Sequence, residues 1–153
     1  VYHLIYFAPI NKAAYLFGVL FIFQGVLFIV SGVYTSNLQY NIRADKYGIT
    51  GLLFFSYALI GYPLLSHVLE HPYPSMPTFG LPCPTVIFTF GLLLLQKNKN
   101  NLKLLIIPML WSIIGTSAVF AFGMAEDMGL TIAGLVTIIY WFNQKGRKHE
   151  KME

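Results

Sequence analysis

The sequence predicts an all-α integral membrane protein, a helical bundle of about five full transmembrane helices with a proline-rich outer segment. Three observations carry that reading. Charged residues make up 10% of the 153-residue chain and hydrophobic residues 56%, whereas soluble domains carry roughly 25% charged residues. Too few charges remain to cover a water-facing surface. Several apolar runs are long enough to cross a bilayer without interruption. Once those runs are threaded in alternation, the basic residues gather on one side. This composition argues against a cytosolic globular enzyme, a disordered chain and a nucleic-acid binder. The net charge of +4 is then a matter of topology rather than of a polyanionic partner.

Taken in order, Val1–Ala8 is apolar except for His3 and follows no initiator methionine. It reads as the outer end of a helix that begins upstream, in a chain truncated at its N-terminus. Ala13–Thr35 holds no ionisable side chain and would extend about 34 Å as a helix, enough to span the hydrocarbon core. Ile49–Leu69 has His67 as its only ionisable group, and Leu104–Phe122 has none. Two shorter spans complete the set, Phe79–Leu95 and Met128–Gln144, with Lys145–Glu153 a basic tail. Short spans are tolerated where the bundle shields the backbone. The runs are continuous rather than alternating, which argues against barrel strands.

Alternation places Arg43, Lys46, Lys97, Lys99, Lys103 and the basic tail together. Nine of the ten basic residues then share one side, and Lys12 stands alone on the other. The positive-inside rule makes that side cytoplasmic, in a plasma (inner) membrane. Tyr34, Tyr140 and Trp141 are expected near the inner interface, and Tyr15 and Tyr62 near the outer one.

Small residues suggest where helices meet. Gly18, Gly25 and Gly32 recur at seven-residue spacing, and Ser112, Gly115, Ala118 and Ala121 at three. Each set forms a stripe that lets a neighbouring helix approach closely. Pro63 and Pro108 deprive the carbonyls of Leu59 and Leu104 of their usual donors and favour kinks.

The candidate chemistry lies at the outer face. His71–Thr85 holds five of the eight prolines and no Lys, Arg, Asp or Glu, and is expected to be a rigid extended cap or a re-entrant segment. Cys83, the single cysteine, cannot form an intramolecular disulfide. It is either an inert apolar residue or a thiol activated at a helix mouth. His3, His67, Glu70, His71, Glu126 and Asp127 fall on the same side. Buried ionisable groups would be costly and functional. At the interface they cost little, and this plainer reading suits Glu126 and Asp127, which also precede a helix and can cap it. His67, Glu70 and His71 match H-x-x-E-H, which with Glu126 would offer a zinc site. A chance match at a helix end explains the same residues. No nucleophile elbow, phosphate loop or dinucleotide fingerprint is present, and no cofactor is indicated.

The stretches VYHLIYFAPINKAAYLFGVLF, PTFGLPCPTVIFTFGLLLL, IIPMLWSIIGTSAVF and EDMGLTIAGL together resemble a bacterial family of multi-pass membrane proteins classed as domain of unknown function, family 6064. The resemblance spans nearly the whole chain and implies further helices ahead of Val1. It singles out His3, His71, Pro77 through Thr85, and Asp127 with Gly129, but brings no established activity. The ligand-binding candidates are therefore His3, His71, Thr78, Cys83, Thr85 and Asp127. The leading expectation is a small transporter, or a binder of a small ligand or ion near the outer leaflet. The alternatives are a membrane-embedded enzyme, metal-dependent or not, and an accessory subunit that packs against another protein or a second copy. Lipid is the expected surrounding, and nucleic acid is not an expected partner.

Overall fold

The computed structural model describes residues 5, 9, 12–36, 38–69, 79–97, 102–122 and 125–150. Five helices account for most of them, and no named strand occurs among the described residues. Helix α1 is Ala13–Ile29, continued by a π-turn over Val30–Tyr34. Helix α2 is one rod in three parts: Lys46–Ser56, a π-turn at Tyr57–Gly61, and Tyr62–Val68. Helices α3 (Pro82–Leu95), α4 (Leu102–Phe122) and α5 (Met128–Glu150) follow, with a 3₁₀ turn at Ala125–Asp127 leading into α5.

Local chemistry explains the boundaries. Helix α2 starts at Lys46, earlier than the expected Ile49, because the Asp45 carboxylate accepts the Gly48 N–H at 2.8 Å and caps the helix. Its π-turn lies just ahead of Pro63, where the ladder must accommodate a residue with no N–H. The expectation of an extended cap over residues 71–85 fails at its C-terminal end. Pro82 and Pro84 lie in the first turn of α3, where helical N–H groups have no intrahelical acceptor and proline costs little. Gly80, at φ +106°, turns the chain into that helix, a backbone conformation glycine adopts readily. Helix α5 continues through Glu150, over positions assigned from sequence to a tail.

The helices alternate in direction. Tyr47, early in α2, stacks edge-on against Tyr140, late in α5, at 4.8 Å. Thr116 and Ser112 of α4 meet Thr131 and Gly134 of α5. Phe17 and Phe21 of α1 flank Trp111 of α4, while Gln24 reaches Leu104. One end therefore gathers the segment before α2, the C-terminus of α3 and the late part of α5. There Lys97 N–H donates to the Gln39 carbonyl at 2.7 Å, and Asn41 N–H to Leu95 at 3.0 Å. Arg43 Nη2 donates to the Leu94 carbonyl at 3.3 Å. The last two bonds occupy carbonyls that the end of α3 leaves without helical donors. We call this the basic end.

Helix α3 is the hub. Val86, Ile87 and Phe90 join Ala58, Tyr62, Leu130 and Ala133 in the core. It packs against α2, α4 and α5, and none of its side chains is exposed. Its closest approach is to α2, where a Cβ on Gly91 would stand 2.8 Å from the Gly51 carbonyl oxygen. The other four helices expose large apolar side chains, among them Val19 and Phe23, Leu53 and Leu64, Leu110 and Ile113, and Leu135 and Ile139. Three helical stretches, Ala14–Tyr34, Lys46–Val68 and Ala125–Asn143, are long and apolar enough to cross a membrane.

The two predicted stripes fare differently. Ser112 and Gly115 do receive α5, through Gly134 and Leu130. The Gly18–Gly25–Gly32 stripe is not a helix contact along its length. Gly25 has open space where a Cβ would stand, and the atoms nearest a Cβ on Gly32 are those of Leu38, from the segment that follows its own helix. The Leu104 carbonyl, deprived of a donor by Pro108, accepts from Gln24 Nε2 at 2.9 Å.

Candidate functional site

At the end opposite the basic one, the turn before α5 carries two adjacent acids into the interior. Glu126 is 0% exposed and Asp127 3%. Both acids are enclosed by protein rather than exposed. The sequence shows two acids before a helix, but not that α2 and α3 close over them.

Helix α2 supplies most of the closure. Tyr62 is 1% exposed, and its hydroxyl donates to Asp127 Oδ1 at 2.5 Å. It is thus a core residue of the bundle. Ser66, one turn on, donates to Glu126 Oε1 at 3.2 Å. Tyr57 donates to the Glu126 backbone carbonyl at 2.9 Å. Five residues apart, Tyr57 and Tyr62 would point about 140° away from each other on an uninterrupted α-helix. The π-turn between them changes that register, and their rings lie 6.1 Å apart. The Tyr57 ring lies against Gly129, where a Cβ would come within 2.9 Å of its hydroxyl oxygen. Glycine at 129 is thus a condition for the tyrosine to reach the turn.

Helix α3 brings Cys83 from its first turn. The thiol is within hydrogen-bonding reach of the Asp127 carboxyl and of Trp111, and the residue packs against the core. The residue is half-buried there.

Asp127, Glu126 and Cys83 are thus brought together. Thr85 is occupied otherwise, its hydroxyl accepting the Gly80 N–H at 3.2 Å. His67 is exposed on the last turn of α2, which closes at Leu69, before Glu70. His3, Glu70, His71 and Thr78 lie outside the described residues. No group of three His, Cys, Asp or Glu suited to a metal ion is found among the described residues. Tyr57, Tyr62 and Ser66 were not singled out from sequence as site residues, although Ala58, Tyr62 and Ser66 recur at spacing four on the buried face of α2.

A pair of buried adjacent carboxyls resists double ionisation, because the charges repel in a medium that screens them poorly. Phenol, alcohol and thiol donors stabilise a carboxylate without adding charge. The turn is therefore chemically suited to exchanging a proton or taking up a cation. The chain belongs to a family of unknown function, DUF6064. The family model matches residues 1–151. Comparisons with curated proteins and with solved structures gave no match. Among the described residues of this DUF6064 chain, the two buried acids are Glu126 and Asp127.

Proposed function

We propose that this DUF6064 chain crosses the plasma membrane five times with its basic end in the cytoplasm, and binds a proton or small cation at the Glu126–Asp127 turn near the outer leaflet. The observation that carries this is the complete burial of both acids inside a bundle whose outer surface is apolar. Ionisable groups held inside a membrane bundle are expensive, and they mark ion and proton paths. Tyr62 and Ser66 hold the two carboxyls in place, while His3 and His71 belong to the same outer region by sequence. Transport is the stronger form of the proposal, and binding alone the weaker.

The test uses the purified chain in vesicles that enclose a pH-reporting dye, under an imposed proton or sodium gradient. Wild type should dissipate one of the gradients, or be stabilised by one of the ions. Glu126→Gln with Asp127→Asn should remove the effect, and so should Asp127→Asn combined with His3→Ala and His71→Ala. Gly25→Ala, remote from the turn, should retain it. Equal behaviour of wild type and the acid-free variant defeats the proposal.

A further inference from the structure

A cleft of about 330 Å³ opens between α4 and α5 toward the basic end. Leu105, Ile106, Met109 and Leu110 form one wall, and Ile138 and Trp141 the other. It continues along α4 to Ile113, so its α4 wall is about 12 Å long. One leaflet of the hydrocarbon core is about 15 Å deep. The cleft therefore has the length and the lining of a seat for an acyl chain in a single leaflet.

Charge decides which lipid. Lys103 is exposed on the first turn of α4. It precedes Ile106, Leu110 and Ile113 by three, seven and ten positions, the spacing of one helical face. The cleft's own ridge thus ends in an ammonium group at its basic mouth. Lys145 follows Trp141 by four positions in the sequence, and Arg43 and Lys97 belong to segments joined at this end. Trp141 is of the type that favours the headgroup boundary.

We infer that the α4–α5 cleft binds one anionic phospholipid of the cytoplasmic leaflet, its acyl chain along Ile106–Ile113 and its phosphate at Lys103. This rests on the membrane reading above, but not on ion binding at the acid turn. Basic pockets between helices on the cytoplasmic side recognise such headgroups.

The experiment places the full chain, with Trp111→Phe so that Trp141 is the only tryptophan, in phosphatidylcholine vesicles. Either brominated phosphatidylglycerol or brominated phosphatidylcholine is added at equal mole fraction, and Trp141 quenching is read. The anionic lipid should quench at the lower mole fraction. Lys103→Gln should reduce that preference by about fivefold, the effect of one lysine near a charged surface. Equal quenching by the two lipids, or a preference unchanged in Lys103→Gln, overturns the inference while the membrane reading stands. If the protein floats with the vesicles and neither lipid quenches, protein covers the cleft and the inference fails. If the protein does not float with them, the membrane reading fails as well.

Discussion

The contact between Gln24 and Leu104 offers a test in which sequence, backbone and packing meet. Pro108 has no N–H, so the Leu104 carbonyl four residues earlier loses its helical donor. Gln24 Nε2 supplies one from α1, at 2.9 Å. The amide's other atom, Oε1, is buried without a partner. Gln24→Leu should therefore remove a needed donor and, at the same time, relieve a buried acceptor. For soluble proteins, orphaning a buried carbonyl costs about 1–3 kcal/mol. Between membrane helices, measured bonds average about 0.6 and reach about 1.7 kcal/mol. On the proposed membrane reading the second figure applies, and the fixed carbonyl with no other helical donor puts the cost near its upper end, about 1.5 kcal/mol.

Pro108→Ala changes the sign of the argument. The substituted alanine brings a backbone N–H that can bond the Leu104 carbonyl as in any α-helix, and Gln24 is then superfluous. In that background Gln24→Leu should be neutral or stabilising. The coupling in the double-mutant cycle should be about 1–2 kcal/mol. The packing loss from the smaller side chain at that position cancels in the cycle. Unfolding would be followed in mixed micelles by the fluorescence of Trp111, which sits between Phe17 and Phe21 on this interface, with Trp141 replaced by Phe. If Gln24→Leu costs the same in both backgrounds, to within about 0.3 kcal/mol, the side-chain amide is not replacing the missing donor.

Other substitutions separate contact from conformation. Gly91→Ala drives a methyl against the Gly51 carbonyl and the Phe55 N–H, at 2.8 and 3.0 Å; micellar unfolding should show a loss of about 1–3 kcal/mol. Gly25→Ala meets nothing within 4 Å and should be neutral, or gain up to about 1 kcal/mol from helix propensity. Tyr62→Phe removes the donor to Asp127 and should cost about 1.5–3 kcal/mol by the same assay if the acid is ionised. Gly80→Ala has room for its methyl but not the φ it needs, and should cost about 1–2 kcal/mol through backbone strain alone.

The helical runs and their alternation were legible because long apolar stretches separated by polar breaks are a one-dimensional signal. The orphaned carbonyl at Leu104 was legible too, since proline's missing N–H is a covalent fact. Its rescue by Gln24 was not, because nothing in the sequence pairs α1 with α4. Gly25 shows the limit of spacing arguments: a stripe says where a helix can be approached, not whether another helix is there. The acid turn shows the same limit for charge. From sequence, Glu126 and Asp127 read more plainly as an interfacial cap than as a buried pair, and their partners, Tyr57 and Tyr62, meet them through a π-turn that simple helical periodicity does not register.

Helix α3 fixes how deep that turn lies. Pro82–Leu95 is about 21 Å long, against about 30 Å of hydrocarbon. A helix that short is tolerated at membrane depth only where protein shields its ends. The segment around Arg43 shields one end, and the turn at Gly80 with the Glu126–Asp127 pair shields the other. If α3 is centred in the bilayer, its first turn lies about 10 Å from the midplane, or about 5 Å beneath the hydrocarbon boundary. Cys83 sits in that turn, beside Asp127. As the single cysteine of the chain, it reports the depth directly. A charged, membrane-impermeant maleimide should label it at least tenfold more slowly in vesicles than in denaturing detergent, from either side, while a small permeant thiol reagent should narrow the gap. Labelling by the charged reagent at the free-thiol rate from the outer side would place the turn in water. The burial of two carboxyls there would then be a matter of protein packing alone, with no membrane cost to make them a functional signal.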